Sequence, residues 1–198
     1  HPYSFYYIKE RQSSYAHVLG LSDVYTPQVI VDGTAELRLS NPQGTSQILS
    51  SAAATRKIGV RIESAGVTGG IVRARIETDA SSAGHKADVF VAIALNHAES
   101  EVLHGENGGK RLEHVAVAQS LKKIGRLEAG GKFSGEFEIK LKPGTDPANI
   151  RVIAFVQESG PGKVLGAALQ KLPFKTNPNT LTNDLDHRKP SFGYAIFP

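Results

Sequence analysis

Apolar and polar residues alternate over most of the middle of the chain, and this pattern constrains the fold more than any other feature of the sequence. Ile58, Val60 and Ile62 alternate with glycine or charged residues, and residues 133–141 repeat the pattern. A period of two is typical of β-strands with one buried face. Glycine-containing breaks separate such segments at the spacing of an antiparallel sandwich. We therefore predict a jelly-roll-like β-sandwich over residues 57–172.

The clearest of these strands, around residue 137, predicts which side chains form the core. Because successive side chains of a strand point to opposite faces, a slip of one residue would exchange the two faces. The side chains predicted to face the core are Phe133, Phe137, Ile139 and Leu141, and those predicted to face solvent are Glu136, Glu138 and Lys140.

Residues 1–56 mix helix and strand. A partly amphipathic helix comes first, and the turn pair Asp32-Gly33 closes a short apolar strand, Val29–Val31. A second strand is expected at residues 35–39, and Asn41-Pro42 begins another helix. This order corresponds to the second half of a thioredoxin-like unit. The predicted fold class is therefore α+β, with a partial thioredoxin-like α/β unit followed by the antiparallel β-sandwich.

The last region, residues 173–198, is a tail rich in proline, asparagine and charged residues. Such termini stay mobile unless they dock, and the apolar segment Phe192–Phe197 could do so. The strand Val29–Val31 needs a neighbour, because an unpaired edge invites pairing with another chain. We expect one of three outcomes: a homo-oligomer, association with a missing amino-terminal segment, or completion of the edge by Phe192–Phe197.

The composition excludes several classes of protein. The chain has 198 residues and a formal charge of +4, and its basic and acidic residues are interleaved, which argues against a nucleic-acid partner. Its longest apolar runs, such as Val89–Leu95, are too short for a transmembrane segment. Because the chain contains no methionine, we expect that a segment upstream of His1 has been removed.

A Thr-Pro pair stands directly before the apolar strand, in the segment Tyr25, Thr26, Pro27 and Gln28. This arrangement is typical of the loop by which a thioredoxin-like fold enters its third strand, where the proline is cis and faces a Cys-x-x-Cys pair. An X-Pro bond is where the cis form is readily accommodated, so we predict a cis Thr26–Pro27 bond. The chain contains no cysteine, which excludes thiol–disulfide chemistry by these residues.

Two separated motifs carry a resemblance to a known family. The first runs from Arg11 to Gly33 and includes Val24-Tyr25-Thr26-Pro27-Gln28; the second comprises Gly105, Glu106, Asn107, Leu112 and His114. Together they resemble a domain-of-unknown-function family of bacterial secreted or periplasmic thioredoxin-like proteins with a carboxy-terminal β-sandwich. The opening strand and helix of that family, which usually carry the cysteines, have no counterpart here. The resemblance implies a secreted or periplasmic location and no settled activity.

Histidines form the strongest cluster of candidate ligands. His97, His104 and His114 lie among several glutamates, and imidazole and carboxylate groups bind zinc and copper. Their spacing matches no recognised metal motif, so a solvated loop is the alternative, and for His114 a buried histidine bonded to the backbone. An amino-terminal His1 could also chelate copper, as in oxidative polysaccharide-cleaving enzymes. Otherwise we expect no cofactor.

Other catalytic patterns are absent from the sequence. No Gly-x-Ser-x-Gly motif surrounds a serine, and the segment after Gly105 lacks the Lys-Ser/Thr of a phosphate loop. We therefore predict a non-catalytic binding or structural role, with an unknown protein or small ligand as partner. Two alternatives remain open: a relative of thioredoxin-like oxidoreductases whose cysteine-bearing segment is absent, and a copper- or zinc-dependent enzyme that uses the histidines.

Overall fold

The computed structural model describes residues 6–81, 84, 86–101, 108–172 and 194–197, without the side chains of 6–8 and 194–197. This part of the chain forms two helices, a short 3-10 helix and ten strands. The elements are α1 Tyr6–Val18, β1 Gln28–Val31, β2 Ala35–Leu37, α2 Pro42–Ala54, β3 Val60–Thr68, β4 Ile71–Thr78, β5 Ala87–Glu101, β6 Arg111–Leu127, β7 Ser134–Lys140, the 3-10 helix Pro147–Asn149, β8 Ile150–Glu158, β9 Val164–Lys171 and β10 Tyr194–Phe197.

The fold is mostly β, which shows that the predicted α+β class with a partial thioredoxin-like α/β unit is wrong. Strands account for 52% of the described residues, and every strand pairing in that part of the chain is antiparallel. The order helix, strand, strand, helix is correct for residues 6–54. However, β1 and β2 form a three-stranded sheet with β10, from the far end of the chain, and every pairing in it is antiparallel, so these elements do not complete a thioredoxin-like α/β unit.

Two larger antiparallel sheets enclose the main core. One has the strand order β3-β4-β7 and the other β6-β5-β8-β9. The side chains between them are aliphatic residues from alternate positions of the strands, as expected for two packed sheets. The largest of those that are fully buried are Val72, Ile76, Val89, Val91, Ile93, Leu127, Ile150, Val152 and Val156.

The faces predicted for β7 are confirmed. Phe137 is only 4% exposed and belongs to the core shared by the two sheets. Phe133, Ile139 and Leu141 pack against that core, whereas Glu136, Glu138 and Lys140 are exposed. On the solvent face, Arg75 pairs with Glu136 at 2.7 Å and Arg73 pairs with Glu138, so each glutamate meets an arginine of the neighbouring strand β4.

The edge of β1 is covered by the carboxy-terminal strand. Gln28 to Val31 pair antiparallel with β10, and β2 pairs on the other side of β1. Of the three predicted partners for this edge, the structure therefore shows the segment at the end of the chain. Phe192 and the remainder of residues 173–193 lie outside the described residues. Self-association and a missing amino-terminal segment remain predictions.

The small sheet joins the main core through a tight contact of two turns. The turn after β1 contains Asp32 and Gly33, both with positive φ, and it faces the turn that contains Gly162. A Cβ atom on Gly33 would overlap the carbonyl oxygen of Gly162. Lys57 crosses the same contact, donating to Asp32 at 2.6 Å and to the carbonyl oxygen of Val164 at 2.8 Å.

Neither helix of the described residues is long and apolar enough to cross a membrane.

Replacing Phe137 by alanine is expected to lower the free energy of unfolding by about 3–5 kcal/mol, because it removes a buried ring from the shared core. Leu169→Ala, at an exposed position of β9, is the control, and there a change of about 0.5 kcal/mol or less is expected. Urea denaturation measures both. Equal, small effects at the two positions would contradict the assignment of Phe137 to the core.

A second comparison separates backbone strain from steric overlap. Gly20 and Gly33 both have positive φ, but a Cβ atom on Gly20 meets nothing within 4 Å. We expect Gly20→Ala to cost about 1–2 kcal/mol, the cost of a left-handed conformation for an alanine. Gly33→Ala is expected to cost clearly more, because its Cβ also pushes the two turns apart. Thermal unfolding of the two variants tests this, and equal costs would show that the turns adjust freely.

Candidate functional site

A cleft of about 580 Å³ lies beside the small sheet. Its lining comes from two stretches of the chain, the connection between α1 and β1 over residues 20–27 and the segment 36–40, which begins within β2. Its polar and aromatic side chains are Ser22, Asp23, Tyr25, Glu36, Arg38 and Ser40, and Pro27 also lines it. The cleft is therefore formed by the sequence segment that contains the Thr-Pro pair.

The structure places the predicted proline loop at this cleft. Tyr25 and Pro27 line it directly, and the Thr26–Pro27 bond is cis, as predicted. Gln28 follows as the first residue of β1, and its side chain is buried. Tyr25 and Pro27 thus form part of the wall of the cleft, although the fold around them differs from the thioredoxin-like unit that motivated the prediction.

Glu36 is the member of the site that sequence reasoning missed. Its side chain is 7% exposed, and its carboxylate accepts a hydrogen bond from Nε2 of Gln28 at 2.7 Å. It also accepts from the hydroxyl of Tyr25 and lies 3.5 Å from Nε of Arg38. A signal was present in the sequence, because Glu36 and Arg38 lie two positions apart and so share one side of an extended segment.

The hydroxyl of Tyr25 is held in its protonated form. Burial, the hydrogen bond to Glu36 and the negative charge of that carboxylate all raise the pKa of Tyr25, and the positive charge of Arg38 opposes this only in part. A phenol that donates to a carboxylate keeps its proton, since ionisation would place two negative charges side by side. Tyr25 therefore serves as a hydrogen-bond donor in this site.

A chain of amide side chains supports the floor of the cleft. Nε2 of Gln12, on α1, donates to Oε1 of Gln28 at 3.0 Å and to the backbone oxygen of Tyr25 at 3.1 Å. Gln28 in turn donates to Glu36. Hydrogen bonds therefore run from α1 through β1 to β2, and they fix both the backbone of Tyr25 and the carboxylate of Glu36.

The residue before Gln12 anchors α1 to the larger sheets. The guanidinium of Arg11 lies 5.2–5.6 Å from the ring centres of Tyr15, Phe90 and Phe155. It also donates to Oε1 of the buried Gln157. Because the rings of Phe90 and Phe155 belong to β5 and β8, this contact ties the helix that supports the cleft to the main core.

Of the predicted histidine cluster, His97 and His114 are not brought together. His97 lies opposite Val115 and His114 lies opposite Ala98, so the two imidazoles point to opposite faces of the β5–β6 pair. His114 instead shares a hydrogen bond of 2.7 Å with Oγ of Ser100. On the other face, His97 lies with Glu99 and Glu113, and their ligand atoms are within 4.8 Å of one another.

Several predicted residues lie outside the described part of the chain. These are His1 and His104, together with Gly105, Glu106 and Asn107 of the second family motif. Leu112 and His114 from the same motif are the second and fourth residues of β6.

Two antiparallel sheets around a common core, with a third small sheet that carries a cleft, define a mostly-β protein. The chain belongs to the family described as Protein of unknown function (DUF1223), whose model matches residues 2–157. No curated protein matches the sequence.

Comparison with solved structures concerns the fold alone. A crystal structure of a protein from Agrobacterium tumefaciens, a structural-genomics target, is similar with a TM-score of 0.64 and 19% identity over 91% of this chain and 77% of that one. A sporulation control protein from Bacillus subtilis reaches a TM-score of 0.42 and 9% identity, over 62% of this chain and 50% of its own. Only the first similarity is high enough to indicate a shared fold.

Glu36→Gln is expected to lower the pKa of Tyr25 toward its ordinary value of about 10, because it removes the negative charge beside the phenol. Titration of isotope-labelled tyrosine rings by NMR resolves this residue from the other tyrosines. Glu63→Gln, an exposed glutamate of β3, is the control and should leave the titration unchanged. An unaltered pKa of Tyr25 in the Glu36 variant would show that burial alone sets it.

Proposed function

We propose that the protein is a secreted or periplasmic, non-catalytic binding protein that takes an extended peptide segment in the cleft at Pro27. The observation that carries this proposal is the position of β2. In the described residues the small sheet has the order β10-β1-β2, so β2 is an edge strand, and Glu36 and Leu37 of that strand line the cleft. An edge strand offers backbone donors and acceptors to an added strand.

Exposed apolar side chains at the same place support a binding role. Tyr25 is 42% and Leu39 60% exposed, and both line the cleft; Val24, next to Tyr25 in sequence, is 50% exposed. Grouped apolar side chains on a surface are typical of binding sites. They favour a ligand that brings apolar side chains of its own to this end of the cleft.

Arg38 gives the cleft a preference for ligands that carry a carboxylate. Its side chain is 74% exposed, and its Nε is 3.5 Å from the carboxylate of Glu36. At this distance the ion pair with Glu36 is loose, so a carboxylate of a ligand can form a closer contact with Arg38. A guanidinium presents several donors in a planar arrangement that matches a carboxylate. The preferred peptide is therefore expected to combine an acidic residue near Arg38 with an apolar residue near Tyr25 and Leu39.

The hydrogen bonding of Glu36 favours binding over acid–base catalysis. A general base needs a carboxylate that is free to take a proton from the substrate. The carboxylate of Glu36 already accepts from Gln28 and Tyr25 and faces Arg38, and Tyr25 has a raised pKa. Both groups are thus suited to hold the shape of the cleft.

The proposed location rests on the resemblance to secreted and periplasmic proteins, and fractionation of producing cells tests it.

Selection from a displayed library of random peptides tests the binding role. Enriched peptides are labelled and titrated with the protein, and fluorescence anisotropy gives the dissociation constant. Tyr25→Ala and Arg38→Ala are each expected to weaken binding by about tenfold or more, equivalent to about 1.4 kcal/mol. Arg56→Ala, an exposed arginine outside the cleft, is the matched control and should bind as the parent does.

Two results would contradict the proposal. One is a selection that enriches no peptide with measurable affinity. The other is an enriched peptide that the Tyr25 and Arg38 variants bind as tightly as the parent protein, which would place the binding surface elsewhere. Circular dichroism of each variant confirms that the fold is intact before binding is compared.

A further inference from the structure

The strands β5 and β6 extend beyond the rest of their sheet. β8 pairs with β5 only from Ala87 to Leu95, whereas β6 pairs with β5 as far as Glu101. The segments 96–101 and 111–116, called here the ribbon, therefore form a two-stranded extension. A two-stranded ribbon is at best marginally stable in water without further support.

The register of the ribbon places two carboxylates directly opposite each other. Glu99 pairs with Glu113, and like charges at directly opposite positions destabilise a sheet. His97 is two residues from Glu99 on the same strand and therefore on the same face. All three side chains are exposed, and their ligand atoms lie within 4.8 Å of one another.

The side chain of Asn149 holds the backbone of His97 through the hydrogen bonds that a neighbouring strand would otherwise make. The side-chain oxygen of Asn149 accepts from the backbone N–H of His97 at 3.0 Å, and the side-chain nitrogen of Asn149 donates to the backbone oxygen of His97 at 2.8 Å. Asn149 ends the 3-10 helix before β8. The imidazole thus projects from a fixed backbone position, while the strand pairing fixes the two carboxylates.

We propose that His97, Glu99 and Glu113 bind a divalent ion of the zinc class, and that this ion cross-links the two strands of the ribbon. One imidazole and two carboxylates are suitable ligands for zinc, with bonds of about 2.0–2.2 Å, and water fills the remaining position. Small rotations of three exposed side chains bring their ligand atoms to one ion. The site shares no residue with the cleft and goes beyond the proposed binding role.

Arg111 competes with the metal ion for the carboxylate of Glu99. Its guanidinium donates to Oε2 of Glu99 and so neutralises part of the charge that the ion would neutralise. Binding of the ion requires Glu99 to exchange Arg111 for the metal. The proposal therefore makes two predictions of opposite sign: loss of a ligand weakens metal binding, and loss of Arg111 strengthens it.

Titration of the chelator-treated chain with Zn²⁺ by calorimetry, and with Co²⁺ by visible absorption, tests the site. His97→Asn and Glu113→Gln are each expected to weaken binding by more than about tenfold, since even groups that only orient a ligand contribute that much. Arg111→Gln is expected to bind more tightly than the parent. His17→Gln, an exposed histidine of α1, is the control and leaves the affinity unchanged.

Hydrogen exchange provides a second readout that distinguishes this site from any other metal site on the chain. Zn²⁺ should slow exchange of the ribbon amides in the parent and not in Glu113→Gln. Without metal, Glu113→Gln should be at least as stable as the parent, because it removes one of two facing charges, so a folding failure is not expected. Equal metal affinity in the parent, His97→Asn and Glu113→Gln, or a loss of affinity in His17→Gln, would overturn the proposal.

Discussion

The buried amide of Gln157 is the contact on which the arrangement of the molecule depends. It lies on β8, fully buried, and donates to the hydroxyl of Tyr15 at 2.6 Å and to the backbone oxygen of Gly162 at 2.6 Å, while Arg11 donates to its oxygen. A buried amide group that lacks hydrogen-bond partners destabilises the fold, so both its oxygen and its nitrogen need a partner. The hydrogen bonds of Gln157 thus fix α1 and the Gly162 turn relative to the main core. Gln12, which also lies on α1, extends this support to the cleft through its hydrogen bonds to Gln28 and to the backbone of Tyr25.

The ion pair of Asp32 and Lys57 secures the small sheet at the neighbouring turn, next to the Gly162 turn that Gln157 holds. The carboxylate of Asp32 and the ammonium of Lys57 are 2.6 Å apart, and the Asp32 side chain is buried. The backbone adds to this link, since the N–H of Val164 donates to the oxygen of Asp32 at 2.8 Å. Loss of one member of a buried pair leaves an uncompensated charge, which costs more than the intact pair contributes. The turn at the end of β1 is therefore held by an ion pair and a backbone hydrogen bond, beside the buried hydrogen bonds of Gln157.

Local patterns predicted the local structure, and contacts between distant segments decided the rest. Alternation around Phe137 predicted the correct faces of β7, and Asn41 caps α2 through a hydrogen bond to Gly44. The thioredoxin-like assignment failed because the same order of helices and strands suits two folds, and only the pairing of β1 with β10, far apart in sequence, distinguishes them. The sequence singled out the loop of Tyr25 and Pro27 but not the cleft that this loop lines, and the place of Glu36 in the cleft depends on the β1–β2 register. Register also separates the imidazoles of His97 and His114, which sequence spacing alone does not determine.

The choice of amides in this layer has a physical consequence. Gln28 and Gln157 each donate and accept at once, which an amide side chain can do without carrying a charge. Two hydrogen-bonded groups result, one from Gln12 through Gln28 to Glu36 and the other formed by Gln157, Tyr15 and Arg11. Among these described residues, the charged side chains are Arg11, which lies over aromatic rings, and Glu36, which lies at the cleft. Both hydrogen-bonded groups include residues of α1, so this helix links the buried contact at Gln157 to the cleft.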